Sequence, residues 1–182
     1  RLEWARQIEE WIGPDNCAVS TTDSYTKLGP IVYSFKNGKK YRIVNYETLR
    51  NKVNLEILSH FPFDIVIFDE IHKCRNPKTK LVPGGWQFLK DHPKAKVIGL
   101  SGSPIMNYPN DIYVPLSMCF PEQYPRTLAG WRQFMYKYCL WSDGQYGAYV
   151  YGTRNMRELR EEIKDLIIRR TKAEVLPFLP SK

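Results

Sequence analysis

Hydrophobic positions along the chain change their period several times, and each change marks an element. Leu2, Trp4, Ile8, Trp11 and Ile12 recur at helical spacing, which predicts an amphipathic helix over residues 2–12. Gly13-Pro14-Asp15-Asn16 ends it. Cys17 to Ser20 reads as a short strand, and residues 21–30, rich in Ser, Thr and Asp, read as a loop or an irregular helix. Two extended runs, Ile31 to Phe35 and Tyr41 to Tyr46, flank the turn dipeptide Asn37-Gly38. Glu47 to Ser59 has helical spacing through Leu49, Val53, Ile57 and Leu58. Asp64-Ile65-Val66-Ile67-Phe68-Asp69 is the strongest strand of the chain. Its near-continuous apolar character predicts a central strand covered on both faces. A helix over Gly84 to Asp91 and a buried strand over Ala95 to Leu100 follow.

Strands alternating with helices predict an α/β fold with a mainly parallel sheet. Beyond Pro104 the texture changes. Residues 108–151 are aromatic-rich and broken by Pro and Gly, without clear strand alternation, and Met156 to Ile168 returns to helical spacing through Leu159, Ile163 and Leu166 to Ile168. Within the aromatic stretch, Trp131, Phe134, Tyr136, Tyr138 and Trp141 suit a local hydrophobic core, with stacking on nucleic-acid bases as the alternative. The chain therefore divides into residues 1–108 and residues 109–182, with no internal repeat and no low-complexity segment.

Composition narrows the picture only slightly. The 182 residues suit one medium domain, and 43% hydrophobic with 25% charged residues is ordinary for a globular chain. No apolar run approaches the roughly 20 residues of a membrane span, so no membrane partner is expected. The chain opens on Arg1, inside what reads as mid-domain helix. Its native N-terminus is expected upstream, and targeting is not legible. The net charge of +8 fits a polyanionic partner as well as a mildly basic surface. The one local concentration is Lys73, Arg75, Lys78 and Lys80, with no acidic residue inside the stretch. The four cysteines, Cys17, Cys74, Cys119 and Cys139, have neither zinc-ligand spacing nor a disulfide framework, which predicts reduced thiols in an intracellular protein. His72 and Cys74, two residues apart and without a partner pair, make a poor metal site.

The chemistry concentrates at Asp69 and Glu70, at the carboxyl end of the strongest strand, where open parallel sheets bind ligands. Two adjacent carboxylates there can divide labour: one holds a divalent metal that bridges phosphates, and the other orients or deprotonates the attacking water. By spacing alone they fit equally well a surface pair that starts a loop.

The tetrapeptide Asp69-Glu70-Ile71-His72 resembles the DEAH-type Walker B box of superfamily 2 helicases, with Ile in place of Ala. Three more stretches, in order, resemble Swi/Snf-type motors. These are Ile43-Val44-Asn45-Tyr46-Glu47-Thr48-Leu49, then Gly99-Leu100-Ser101-Gly102-Ser103-Pro104-Ile105-Met106-Asn107, and Ile168 to Leu176 with Leu179-Pro180-Ser181-Lys182. Tyr138-Cys139 through Trp141, Gly152 and Met156-Arg157-Glu158-Leu159 look most like the HepA-related annealing helicases.

The resemblance implies a partial RecA-like (P-loop NTPase) lobe. Residues 1–108 would be the later part of its first motor lobe, and residues 109–182 a helical protrusion and the lobe's end. It implies ATP as substrate and Mg2+ as cofactor, held mostly through water by Asp69. Glu70 would position the attacking water. His72 would link the nucleotide site to a coupling motif at Ser101, Gly102 and Ser103. Met106 stands where the family usually has Gln. Asn45, Tyr46, Lys73, Arg75, Asn76 and Lys78 would line a track for double-stranded or branched DNA, and a solvated basic loop is the plainer alternative. Arg169 and Arg170 would pack against a second RecA-like lobe or serve a helix C-terminus.

The resemblance further implies an intracellular protein, nuclear if eukaryotic and cytoplasmic otherwise. A phosphate loop of the form G-x-x-x-x-G-K-[ST] is not in these 182 residues, so the piece alone is expected to be inactive. Two rival classes remain at this level: a non-catalytic DNA-binding or scaffolding module built on the same fold, and a subunit of a restriction or defence helicase.

Overall fold

The structure, a computed structural model, describes residues 2–14, 16–19, 38–144, 147–170 and Glu174. The loop expected over 21–30, the strand over 31–35 and, apart from Glu174, the closing motif from Thr171 onward lie outside the described residues.

Helix α1 spans Leu2–Ile12 as its periodicity predicts. Its apolar stripe is only partly used: Ala5 is buried, while Trp11 is 84% exposed. Strand β1 (Cys17–Val19) pairs in parallel with β2 (Tyr41–Ile43), Cys17 opposite Tyr41. β2 is shorter than the extended run predicts, because the chain coils into a 3-10 turn over Tyr46–Arg50. The single helix expected over 47–59 is split at Asn51. Its side-chain oxygen accepts the backbone N–H groups of Val53 and Asn54 and so starts a new helix, α2 (Lys52–Ser59). An Asn at this position satisfies donors that the first turn leaves orphaned.

Strand β3 (Ile65–Phe68) and strand β4 (Lys96–Gly99) form a second parallel pair, Phe68 opposite Gly99. They are joined through a 3-10 turn (Ile71–Cys74) and helix α3 (Leu81–Asp91), a βαβ unit. α3 begins earlier than the sequence suggests. Pro83-Gly84-Gly85 reads as a breaker, yet Pro83 lies in the first turn, where its missing N–H costs nothing. Gly84 has a packing reason: a Cβ built there would lie 1.7 Å from the Leu49 carbonyl oxygen. α3 thus rides directly on the backbone of the 46–50 turn.

The expectation that β3 is covered on both faces, and that β4 is buried, is corrected here. Ile65 and Ile67 are 55% and 52% exposed and Ile98 is 44% exposed, whereas Phe68 is buried and Val66 and Val97 pack against the core. Period-2 alternation sends Val66 and Phe68 to one side and Ile65 and Ile67 to the other. Among the described residues only the first side is packed.

The segment after residue 108 holds a 3-10 turn (Pro109–Ile112), helix α4 (Tyr113–Cys119) and helix α5 (Leu128–Tyr138), which Thr127 caps by accepting the Gly130 N–H. It is not wholly helical, contrary to expectation. Strands β5 (Cys139–Gly144) and β6 (Gly147–Thr153) form an antiparallel hairpin with an irregularity between Leu140 and Trp141. Asp143-Gly144 and the alternating Tyr149-Val150-Tyr151 are hairpin signals that the surrounding glycines obscure. Helix α6 (Met156–Ile163) is shorter than the run to Ile168 predicts.

One cluster of buried side chains runs from Leu49 through Phe68, Trp86 and Met118 to Leu159. Trp131, Phe134 and Tyr138 belong to it, so these aromatics are core. The buried Trp86 indole donates to Ser117 Oγ at 2.9 Å, which ties α3 to α4. Helix α6 is held to the preceding segment by Glu162. Its carboxylate accepts the hydroxyls of Tyr124 (2.7 Å) and Tyr138 and the Lys137 ammonium at 3.0 Å. Partial burial pushes the Glu162 carboxyl up, but the bonds from Tyr138, Tyr124 and Lys137 outweigh it, and the net shift is below the usual 4.5.

A depressed carboxyl stabilises the fold above the unfolded pKa, and that stability is lost as pH falls through the folded value. Glu162→Ala is therefore expected to cost about 2 kcal/mol at pH 7, the scale of hydrogen bonds to a charged acceptor. Most of the difference should vanish well below pH 4.5. Urea melts of both proteins at the two pH values check this.

Candidate nucleotide and coupling site

The carboxyl ends of β3 and β4 form one rim. The Leu100 N–H donates to the Phe68 carbonyl and the Ile71 N–H to the Leu100 carbonyl, both at 2.9 Å. The two strand exits therefore leave the sheet side by side. Asp69 and Glu70 follow the last residue of β3, and Ser101 to Ser103 follow β4. Asp69 is exposed and the Glu70 side chain is 46% exposed, so both acids face solvent at the rim.

Glu70 adopts a left-handed backbone, φ 52° and ψ 50°. A non-glycine residue there carries strain of about 1–2 kcal/mol, and such positions concentrate at functional sites. The turn sets up a chain of contacts. His72 Nδ1 lies 3.1 Å from Glu70 Oε2 and 2.9 Å from Ser101 Oγ. The His72 ring nitrogen thus stands between the Glu70 carboxylate and the Ser101 hydroxyl. Ser101 Oγ also accepts the Ser103 N–H at 3.2 Å. The structure thus brings Glu70, His72, Ser101 and Ser103 into one connected network. Gly102 is exposed between the two serines, with open space where a Cβ would stand.

On the other side of Asp69, its Oδ2 accepts the Trp4 indole N–H at 2.9 Å and its backbone oxygen accepts the Tyr46 hydroxyl at 2.7 Å. The Tyr46 ring stacks on Phe68, centroids 6.1 Å apart. Burial, with Cys74, Asp69 and Glu70 nearby, pushes the Tyr46 hydroxyl well above its usual range. Burial likewise raises the adjacent Cys74 thiol to about 12, so it stays protonated and inert. Tyr46, expected on the DNA track, is half-buried, and its hydroxyl braces Asp69. Asn45 precedes it, half-buried, and its carbonyl accepts the Thr48 N–H.

The basic residues lie on the loop that leaves this site. Lys73, Asn76 and Lys78 are exposed and Arg75 is half-buried. The Asn76 side chain accepts the Lys78 N–H at 3.0 Å and holds the loop as a turn, and Lys78 Nζ stands 5.8 Å from the Trp131 ring centre.

Sequence reasoning misses two supporting residues. Trp4 is one. The other is Asp111, 7% exposed, whose Oδ2 accepts the N–H groups of Met106 (3.2 Å), Asn107 (2.8 Å) and Tyr108 (3.4 Å). It fixes the loop that continues from Ser103. An acid after Pro109-Asn110, at a helix start, is the signal that could have found it.

The donor set bears on the expected metal. Among the described residues no three His, Cys, Asp or Glu side chains converge to enclose an ion. Mg2+ keeps several waters and takes its remaining ligands from substrate phosphates, often with one or two carboxylates. A single exposed Asp69, with an ionisable neighbour, fits that role.

A parallel βαβ unit with two carboxylates at the carboxyl end of its first strand is the arrangement of a partial RecA-like α/β lobe. The chain belongs to the family of the SNF2-related domain, whose pattern matches residues 2–182. It is similar to the SWI/SNF-related matrix-associated actin-dependent regulator of chromatin subfamily A-like protein 1 of Xenopus tropicalis, 28% identical over 100% of this chain and 18% of that protein. It is also similar to the human DNA annealing helicase and endonuclease ZRANB3, 27% identical over 100% of this chain and 16% of that protein. The TATA-binding protein-associated factor BTAF1 of Arabidopsis thaliana is 27% identical over 98% of this chain and 9% of that protein. The chain thus spans less than a fifth of the length of these relatives.

Proposed function

We propose that the protein to which this chain belongs hydrolyses ATP and uses it to track along double-stranded or branched DNA, remodelling protein–DNA complexes or reannealing strands. The observation that carries this reading is the Glu70–His72–Ser101 bridge, because it joins a water-activating acid to the exit of the neighbouring strand. Mg2+, when bound with ATP, supplies charge neutralisation and polarisation at the phosphates. Asp69 holds its hydration shell at the rim. Glu70 orients the attacking water and takes its proton. His72 keeps Glu70 in place and passes any change of its position to Ser101 and Ser103. The relatives' names, a chromatin regulator and a DNA annealing helicase, support the same class of activity. A second RecA-like lobe is the partner that completes the nucleotide site. The setting is intracellular, and nuclear if the source is eukaryotic.

Lys73, Arg75, Asn76 and Lys78 make the DNA-facing loop. Lysine and arginine on phosphates give affinity without sequence choice, as a motor needs. In the full-length protein, Lys73→Ala with Arg75→Ala is expected to weaken DNA binding. It should also lower the slope of log affinity against log salt by about one for each phosphate that the variant no longer neutralises. Fluorescence anisotropy with duplex DNA at several salt concentrations measures both. An unchanged slope would remove this loop from the DNA track. Absence of DNA-stimulated phosphate release by the full-length protein would overturn the motor reading itself.

A further inference from the structure

We propose that Trp4 is a positioning residue for the divalent cation: its indole N–H holds Asp69 Oδ2 and leaves the rest of the carboxylate set toward the metal's water shell. This rests on the reading that the acidic rim takes a metal–nucleotide complex.

The argument begins with the contact. Trp4 Nε1 reaches Asp69 Oδ2 at 2.9 Å across 65 positions of sequence, from helix α1 to the exit of β3. Asp69 is held a second time at its backbone oxygen by Tyr46. Between them the two bonds restrain both the side chain and the main chain of one exposed acid. A carboxylate has about four lone-pair sites, and one indole N–H occupies one of them. Among the described residues Asp69 Oδ1 has no hydrogen-bond donor, so Oδ1 is available to a water of the ion.

The choice of donor decides the electrostatics. An indole N–H is neutral. It orients the carboxylate without cancelling its charge, as a lysine or arginine in the same place would. Among the described residues Asp69 has no ion pair. The acid is therefore held in place by neutral donors alone among the described residues, an arrangement that suits a cation. Groups that orient a metal-binding carboxylate in this way set metal affinity by about 10- to 100-fold.

The test uses full-length protein with a non-hydrolysable ATP analogue, and Mn2+ binding read by electron paramagnetic resonance. Trp4→Phe removes only the N–H; it is expected to weaken Mn2+ binding about tenfold, while analogue binding without metal is unchanged. Trp4→His, which retains an N–H donor, is expected to recover part of the loss. A structural role alone would not separate the two variants in this way.

Equal Mn2+ affinity in wild type and a folded Trp4→Phe protein overturns the proposal and leaves the motor reading standing. No Mn2+ binding in the wild type, with the analogue present, overturns the motor reading instead. Should Trp4→Phe fail to fold, 5-fluorotryptophan placed at position 4 of the otherwise wild-type protein gives the answer. Its fluorine signal broadens on adding Mn2+ if the indole stands beside the ion, and stays sharp if the proposal is wrong.

Discussion

Full-length protein carrying Glu70→Gln is expected to bind ATP and DNA normally and to lose DNA-stimulated hydrolysis by about 10²- to 10⁴-fold, the range of general acid–base catalysis. The substitution keeps the side chain's length and shape, and with them its place beside His72 Nδ1, 3.1 Å away in the native arrangement. What it removes is the charge that takes a proton from the attacking water. Stability is expected to change by less than about 1 kcal/mol, since the side chain is half exposed and leaves no cavity. Steady-state phosphate release with and without duplex DNA, beside nucleotide binding by a fluorescent analogue, separates the two effects. Turnover equal to wild type would sink Glu70 as the water-activating group.

Gly84→Ala is expected to produce the largest loss of stability of any glycine-to-alanine change among the described residues, about 3 kcal/mol. Its new Cβ would lie 1.7 Å from the Leu49 carbonyl oxygen and 2.9 Å from the Leu49 carbonyl carbon, and both are backbone atoms. Side chains can rotate away from an intruder, but a backbone carbonyl moves only if its whole segment moves, which puts the cost at the upper end of overpacking effects. The segment in question is the 46–50 turn, whose first residue braces Asp69. The variant should therefore also raise the metal concentration needed for half-maximal hydrolysis in the full-length protein. Thermal melts and a Mg2+ titration check the two consequences. Gly85→Ala is the control, because its nearest obstacle is the flexible end of Met118 at 2.9 Å.

The parts of the site that the sequence exposes are those written into contiguous residues. The run Ile65 to Phe68 ending on Asp69-Glu70 places two acids at a strand exit without further information. The family resemblance points from His72 to Ser101 across 29 positions, and the structure joins them at 2.9 Å. Trp4 leaves no such trace. Its hydrophobic periodicity marks it as one more member of an amphipathic stripe, and only the folded chain shows its N–H meeting an acid 65 positions away. Tyr46 misleads for a related reason: a polar-tipped aromatic beside an Asn reads as a surface group until Phe68 and Asp69 are seen to enclose it. The β5–β6 hairpin is hidden because the glycines from Gly144 to Gly152 interrupt the alternation that strand reading depends on. That only the Val66 and Phe68 side of β3 is packed among the described residues escapes the sequence, because an apolar run reports what a strand can bury, not what is there to bury it against.

The left-handed backbone at position 70 has a consequence for variant libraries. Glycine is the residue that relaxes there, so Glu70→Gly should accumulate in cells at or above the level of the parent sequence while supporting no turnover. Abundance scores and growth scores from the same library would then point in opposite directions at this codon. That divergence would identify an acid retained for its chemistry at the expense of comfort in the chain.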